Sequence, residues 1–125
     1  MADESADTHG APQRRMPRIY TVSEVTAAVR ALITSSAYRV VTVEGEISGW
    51  KISANGHAYF TLKDENAVLA CAMFAAPLSA CACRAEFKDG VKVQMWGRMD
   101  VYPQRGSYQL IVQRARLAHK VRHLE

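Results

Sequence analysis

Tyr38-Arg-Val-Val-Thr-Val-Glu-Gly-Glu-Ile-Ser-Gly-Trp50 reads as one long strand, and it decides the architecture. Valines and Ile47 recur at period two, the spacing of side chains on one face of a strand. Gly45 and Gly49 interrupt it. Glycine tolerates backbone geometries that other residues resist, so both positions suggest a bulge or a sharp coil. A strand that long and that coiled can pair at both ends and close a sheet into a barrel.

On its C-terminal side the period of two continues. Ser53-Ala-Asn-Gly56 is turn chemistry. From His57 to Lys63, Ala58, Phe60 and Leu62 take one face, while His57, Tyr59, Thr61 and Lys63 take the other. Asp64-Glu-Asn66 is a hairpin turn, and Ala67 to Phe74 is a third strand with Leu69, Cys71 and Met73 toward the core. Ala75 to Phe87 loses the alternation and reads as a short helix or irregular crossover. Val91 to Val101 and Ser107 to Ala115 are two more strands, joined by the loop Tyr102-Pro-Gln-Arg-Gly106. Tyr108, Leu110 and Val112 are expected on the inner side of the last one.

On the N-terminal side lies a helix. Thr21-Val-Ser-Glu24 is a capping box, followed by an apolar stripe of Val22, Val25, Val29, Leu32 and Ile33. With one apolar face only, this helix is expected to pack against something larger, closing one open end of the barrel. The predicted fold class is therefore mainly β: a five-stranded OB-fold barrel, a capping N-terminal helix, and a short helical crossover between strands three and four. The domain spans residues 19–117. Residues 1–18 lack periodicity and are expected to be a disordered tail; residues 118–125 form a basic C-terminal tail.

Composition bounds the function. The chain has 125 residues, 49% hydrophobic and 22% charged, which suits a single globular domain. Neither a transmembrane run nor a secretory signal is visible, so no membrane association is expected. Three cysteines argue against a disulfide framework and for a reducing, cytoplasmic setting. The formal charge is +4, and all of the excess lies in residues 98–125, where six bases face two acids. A basic end on a neutral body suits a polyanion, although a merely solvated tail has the same composition.

The runs Tyr20-Thr-Val-Ser-Glu-Val25, Val43-Glu-Gly-Glu-Ile-Ser48, Gly56-His-Ala-Tyr-Phe-Thr-Leu-Lys-Asp64, Cys71-Ala-Met-Phe74 and Tyr108-Gln-Leu-Ile-Val112 occur in series. Asp89-Gly90, Val93 and Gly97-Arg98 lie between the last two runs. Together they resemble the N-terminal OB-fold domain of the exonuclease VII large subunit. The resemblance implies single-stranded DNA binding, with RNA left open, and a place in DNA repair. It also implies that cutting belongs to a later domain, and that this domain or a small subunit is a partner. The Ala- and Cys-rich segment 75–85 departs from the family pattern.

A sequence-tolerant single-strand binder needs flat aromatic faces for bases and cations for the backbone. In OB folds the usual site is the outer face of strands two and three, rimmed by the first and last hairpin loops. That face offers His57, Tyr59 and Lys63; the first-hairpin loop offers Trp50, Lys51 and Asn55; the last-hairpin region offers Arg98, Tyr102, Arg105 and Tyr108. Each has a plainer role open to it. Trp50 can pack the barrel rim, Tyr59 is a good strand former, and His57 can bond the loop. Arg98 can pair with Asp100 or stack on Trp96, and Lys51, Lys63 and Arg105 can be ordinary surface cations. Tyr108 is expected in the core.

No catalytic or metal site is expected, and no cofactor. Cys81-Ala-Cys83 lacks zinc-knuckle spacing, and His119 and His123 have no third ligand nearby in sequence. Glu44 and Glu46 share a strand face without the third carboxylate of a two-metal nuclease. The alternative reading is a protein-interaction barrel, with nucleic acid held only loosely by the basic tail. Val68, Ala70, Ala72, Phe74 and Ile111 on outer faces would serve it.

Overall fold

The computed structural model describes residues 18–118, so the two tails lie outside the described residues apart from Arg18 and Ala118. Helix α1 (Val22–Thr34) leads through a short 3-10 turn into β1 (Val40–Ile52). Strands β2 (Ala58–Lys63) and β3 (Val68–Met73) follow, then α2 (Ala75–Ala80), β4 (Lys92–Tyr102) and β5 (Ser107–Leu117). The strands close a barrel in the order β1-β2-β3-β5-β4. Only the β3–β5 pairing is parallel.

The long strand closes the barrel by dividing its length between two neighbours. Val40 to Glu46 pair with β4, and Glu46 to Ile52 pair with β2. Near the changeover a Cβ on Gly45 would stand 3.2 Å from both the Leu62 Cβ and the Lys63 carbonyl oxygen, so a larger residue crowds the coil. A bulge between Ser48 and Lys51 accommodates one extra residue, with Gly49 at φ +67°. Strands β4 and β5 approach as closely at Gly97, where a Cβ would collide with the Ile111 carbonyl.

Strand alternation delivers the core as expected from Ile47, Phe60, Leu62, Cys71, Met73 and Leu110, all buried. The crossover adds Leu78, Cys81 and Phe87 to the same cluster, with Trp50 packed beside them. Tyr108 is a correction. It shares strand parity with buried Leu110 and Val112, yet it is 55% exposed. Its cross-strand partner Val101 is buried at 7%, so the two side chains at one level of the β4–β5 ribbon differ in exposure and parity alone does not bury Tyr108.

Helix α1 carries the capping box. The Glu24 amide donates to the Thr21 hydroxyl at 3.0 Å, and the Thr21 amide donates to the Glu24 carboxylate at 2.8 Å. The contact made by α1 differs from the expected one. The helix lies against β4 and buries none of its residues. Val22 is 84% and Leu32 70% exposed, and Val25 and Val29 are also open. The expectation that this stripe closes the barrel end is therefore corrected; Leu78, Cys81 and Phe87 of the crossover join the core cluster, and no α1 side chain does. What holds α1 is polar: Arg30 reaches Asp100 on β4, and the half-buried Thr26 and Ile33 share that side of the helix.

Candidate nucleic-acid interface

A groove of about 740 Å³ runs between the outer face of β2–β3 and the β4–β5 hairpin. Its floor is small by composition: Thr61 and Ala70 are open to an approaching ligand, with Ala72 buried beneath. Three exposed aromatic rings line it, Tyr59 on β2, Phe74 just after β3, and Tyr102 at the end of β4, with the buried Phe60 behind them. Two cations join them. Lys51 comes from β1, and Arg105, in the hairpin loop, lies with its guanidinium 5.5 Å from the Tyr102 ring. Ser107 and Gln109 add hydrogen-bonding capacity along one wall.

Register explains why these side chains meet. Tyr59 pairs with Lys51 across β1–β2 and with Ala72 across β2–β3, so all three point to the same face. Tyr59 is 44% exposed and Phe74 38%, although both are large aromatics. Exposed rings beside free cations and a small-residue floor suit base stacking together with phosphate attraction.

Of the residues expected from the sequence, Lys51, Tyr59, Tyr102 and Arg105 are brought together. Trp50 is not. The bulge at Gly49 shifts strand parity by one residue, turning Lys51 outward and Trp50 inward. The indole packs on Phe60 at 4.9 Å and on Phe87 at 5.6 Å between ring centroids. The Trp50 backbone amide donates to the Asp89 carboxylate at 2.8 Å.

His57 is engaged behind the groove. Its Nδ1 accepts from the Ala75 amide at 3.0 Å, at the start of α2, and its ring meets Phe74 edge-on at 5.2 Å. It thus supports Phe74 rather than lining the groove. Lys63 shares the Tyr59 face but lies four residues further along β2, roughly 13 Å away. Asn55 sits exposed in the turn before β2 and does not line the groove. Arg98 is paired with Asp100 at 3.1 Å on β4. Phe74 is the ring missing from the expected site; its outward parity on β3 was the available signal.

Nothing in the described residues suggests chemistry at this groove. Among them no group of three or more His, Cys, Asp or Glu is placed to hold a metal ion. His119 and His123 lie outside the described residues. Burial pushes the Cys71 thiol up to about 12, which keeps it from acting as a thiolate at neutral pH.

A closed five-stranded barrel with an aromatic and basic groove on its β2–β3 face defines the class of OB-fold nucleic-acid-binding domains. The family model described as "OB-fold nucleic acid binding domain" matches residues 20–116, and the chain belongs to that family. Within it, the chain is similar to the N-terminal part of proteins named exodeoxyribonuclease 7 large subunit. The protein of that name from Geobacter metallireducens is 44% identical over 96 residues, 77% of this chain and 20% of that protein. The one from Pseudomonas savastanoi pv. phaseolicola is 40% identical over 94 residues, 75% of this chain and 20% of its own length. The chain thus spans about a fifth of the length of the curated relatives it matches.

Solved structures agree on the fold. A replication protein A heterotrimer bound to single-stranded DNA contains a chain with a TM-score of 0.56 at 9% identity, covering 74% of this chain and 67% of that one. Asparaginyl-tRNA synthetase from Entamoeba histolytica matches with a TM-score of 0.58 at 13% identity, covering 66% of this chain and 21% of the synthetase. Among the described residues no helix is long and apolar enough to cross a membrane.

Proposed function

We propose that this domain binds single-stranded DNA in the groove between β2–β3 and the β4–β5 hairpin, as the substrate-holding part of an exonuclease VII large subunit. The observation that carries the reading is the convergence of Tyr59, Phe74 and Tyr102 with Lys51 and Arg105 on one open face. Bases stack on the rings and the backbone meets the cations, which favours unpaired strands because duplex bases are already stacked. Strand cleavage belongs to a part of the enzyme outside this chain, and the domain needs no cofactor to bind. A catalytic domain and a small subunit are the partners this reading names. The three free cysteines support a cytoplasmic setting.

The test is a fluorescence-anisotropy titration of the domain with single-stranded and duplex oligonucleotides at two salt concentrations. Preference for the single strand supports the reading; equal affinity for both, vanishing at high salt, overturns it. The exposed α1 stripe favours a second reading, in which the barrel also docks on protein. That reading predicts a partner contact that survives removal of the groove aromatics.

A further inference from the structure

Trp96, on the outward face of β4, stands opposite Arg114 on β5. The Arg114 guanidinium carbon lies 5.0 Å from a Trp96 ring centroid, and that of Arg116 lies 5.2 Å away. Both distances are those of cation–π pairs. Arg116 is further fixed by a relay: its Nε donates to the Gln94 side-chain oxygen at 2.8 Å, and the Gln94 amide donates to Glu44 at 2.7 Å. Among the described residues neither Arg114 nor Arg116 makes an ion pair, whereas Arg30 and Arg98 are both spent on Asp100. Two guanidinium groups are therefore held in place and left electrostatically unspent.

We infer that Arg114 and Arg116, braced on Trp96, form a second phosphate-binding station for the same nucleic acid strand. This rests on the groove being a single-strand site. The station lies on the same outward face of the β4–β5 ribbon as the groove but toward its other end. Six residues of β4 separate Tyr102 from Trp96, about 20 Å of strand. The contact of α1 at Asp100 falls between them, so only a strand long enough to pass it engages both. Bracing lowers the side-chain entropy lost on binding, and the planar guanidinium matches phosphate geometry. Glu44 stands two hydrogen bonds from Arg116, through Gln94.

The test uses oligonucleotides of about 5 and about 15 nucleotides, near the short and long ends of what one OB barrel engages. Anisotropy titrations compare the wild-type domain with the R114A/R116A double variant and with Tyr59→Ala. The inference predicts that the double variant binds the short oligomer like the wild type and the long one more weakly. Its plot of log affinity against log salt for the long oligomer should flatten by up to about 0.7 per arginine. Tyr59→Ala should weaken both lengths. Equal loss for the two lengths in the double variant, or no loss for either, overturns the station and leaves the groove intact. A wild-type domain that binds neither oligomer removes the groove reading and this inference together.

Discussion

Arg30 and Asp100, 70 residues apart, form a two-pronged pair: Nε donates to Oδ1 at 2.8 Å and Nη2 to Oδ2 at 3.1 Å. Asp100 also accepts from Arg98 at 3.1 Å and from the Val101 amide at 2.7 Å. This one carboxylate ties the N-terminal helix to the barrel and orders the end of β4, from which the groove hairpin springs.

Removing it should loosen both. Asp100→Ala leaves the Val101 amide and two guanidinium groups without their acceptor, and should cost about 1–3 kcal/mol in urea unfolding. Arg30→Ala should release α1 with a smaller global effect, seen as faster proteolysis within Val22–Thr34. If α1 stays as protected in Arg30→Ala as in the wild type, the pair is not what holds it.

The same pair predicts an acid dependence. The Arg30 hydrogen bond, with help from Val101 and Arg98, lowers the Asp100 carboxyl below its ordinary value of 3.8 against a smaller opposing effect of burial. Its stabilising contribution is therefore complete above the unfolded value of about 3.9 and lost as pH falls through the lower folded one. Melting temperature should drop below about pH 4 in the wild type, and less steeply in Asp100→Asn. Parallel acid curves for the two proteins would place the sensitivity elsewhere.

Trp50 and Leu32 should exchange the roles that sequence pattern assigns them. Trp50→Ala should cost about 3 kcal/mol of stability, the low end for loss of a large aromatic, because the indole is only half-buried. Leu32→Ala, at an exposed position, should stay within about 0.5 kcal/mol. Chemical denaturation of the two variants decides this, and a larger loss at Leu32 would mean that the helix stripe is covered.

Close strand approach makes Gly97 a sharp structural probe. Gly97→Ala forces a methyl group against the Ile111 backbone and should destabilise by about 1–3 kcal/mol or more. A thermal melt matching the wild type would show that β4 and β5 have slack there.

Much of the fold is legible in the sequence because strand alternation and capping are local. The inward set Ala58, Phe60 and Leu62, and the Thr21–Glu24 box, need no knowledge of the rest of the chain. The misplacements share a physical cause: each depends on geometry set elsewhere. One extra residue at Gly49 turns Trp50 inward, a shift that residue types alone do not count out. Tyr108 follows the inward parity yet stays exposed, while its cross-strand partner Val101 is buried. The α1 stripe reads as a buried face until Asp100, far along the chain, takes Arg30 at the edge of the stripe and turns Val25 and Leu32 to solvent. At the site, Tyr59, Tyr102, Lys51 and Arg105 are readable from parity and loop position. His57 is not, because its partner is the Ala75 amide across the fold.

The most direct test of the account is single-strand affinity of Tyr59→Ala and Lys51→Ala, measured by anisotropy at low and high salt. Stacking on Tyr59 predicts a loss of about 1–3 kcal/mol of binding in Tyr59→Ala that persists at both salts. Phosphate attraction at Lys51 predicts a loss that shrinks as salt rises, with the log–log slope lower by up to about 0.7. Tyr59→Ala binding like the wild type at both salts, with its fold intact, would contradict the groove as the nucleic-acid site.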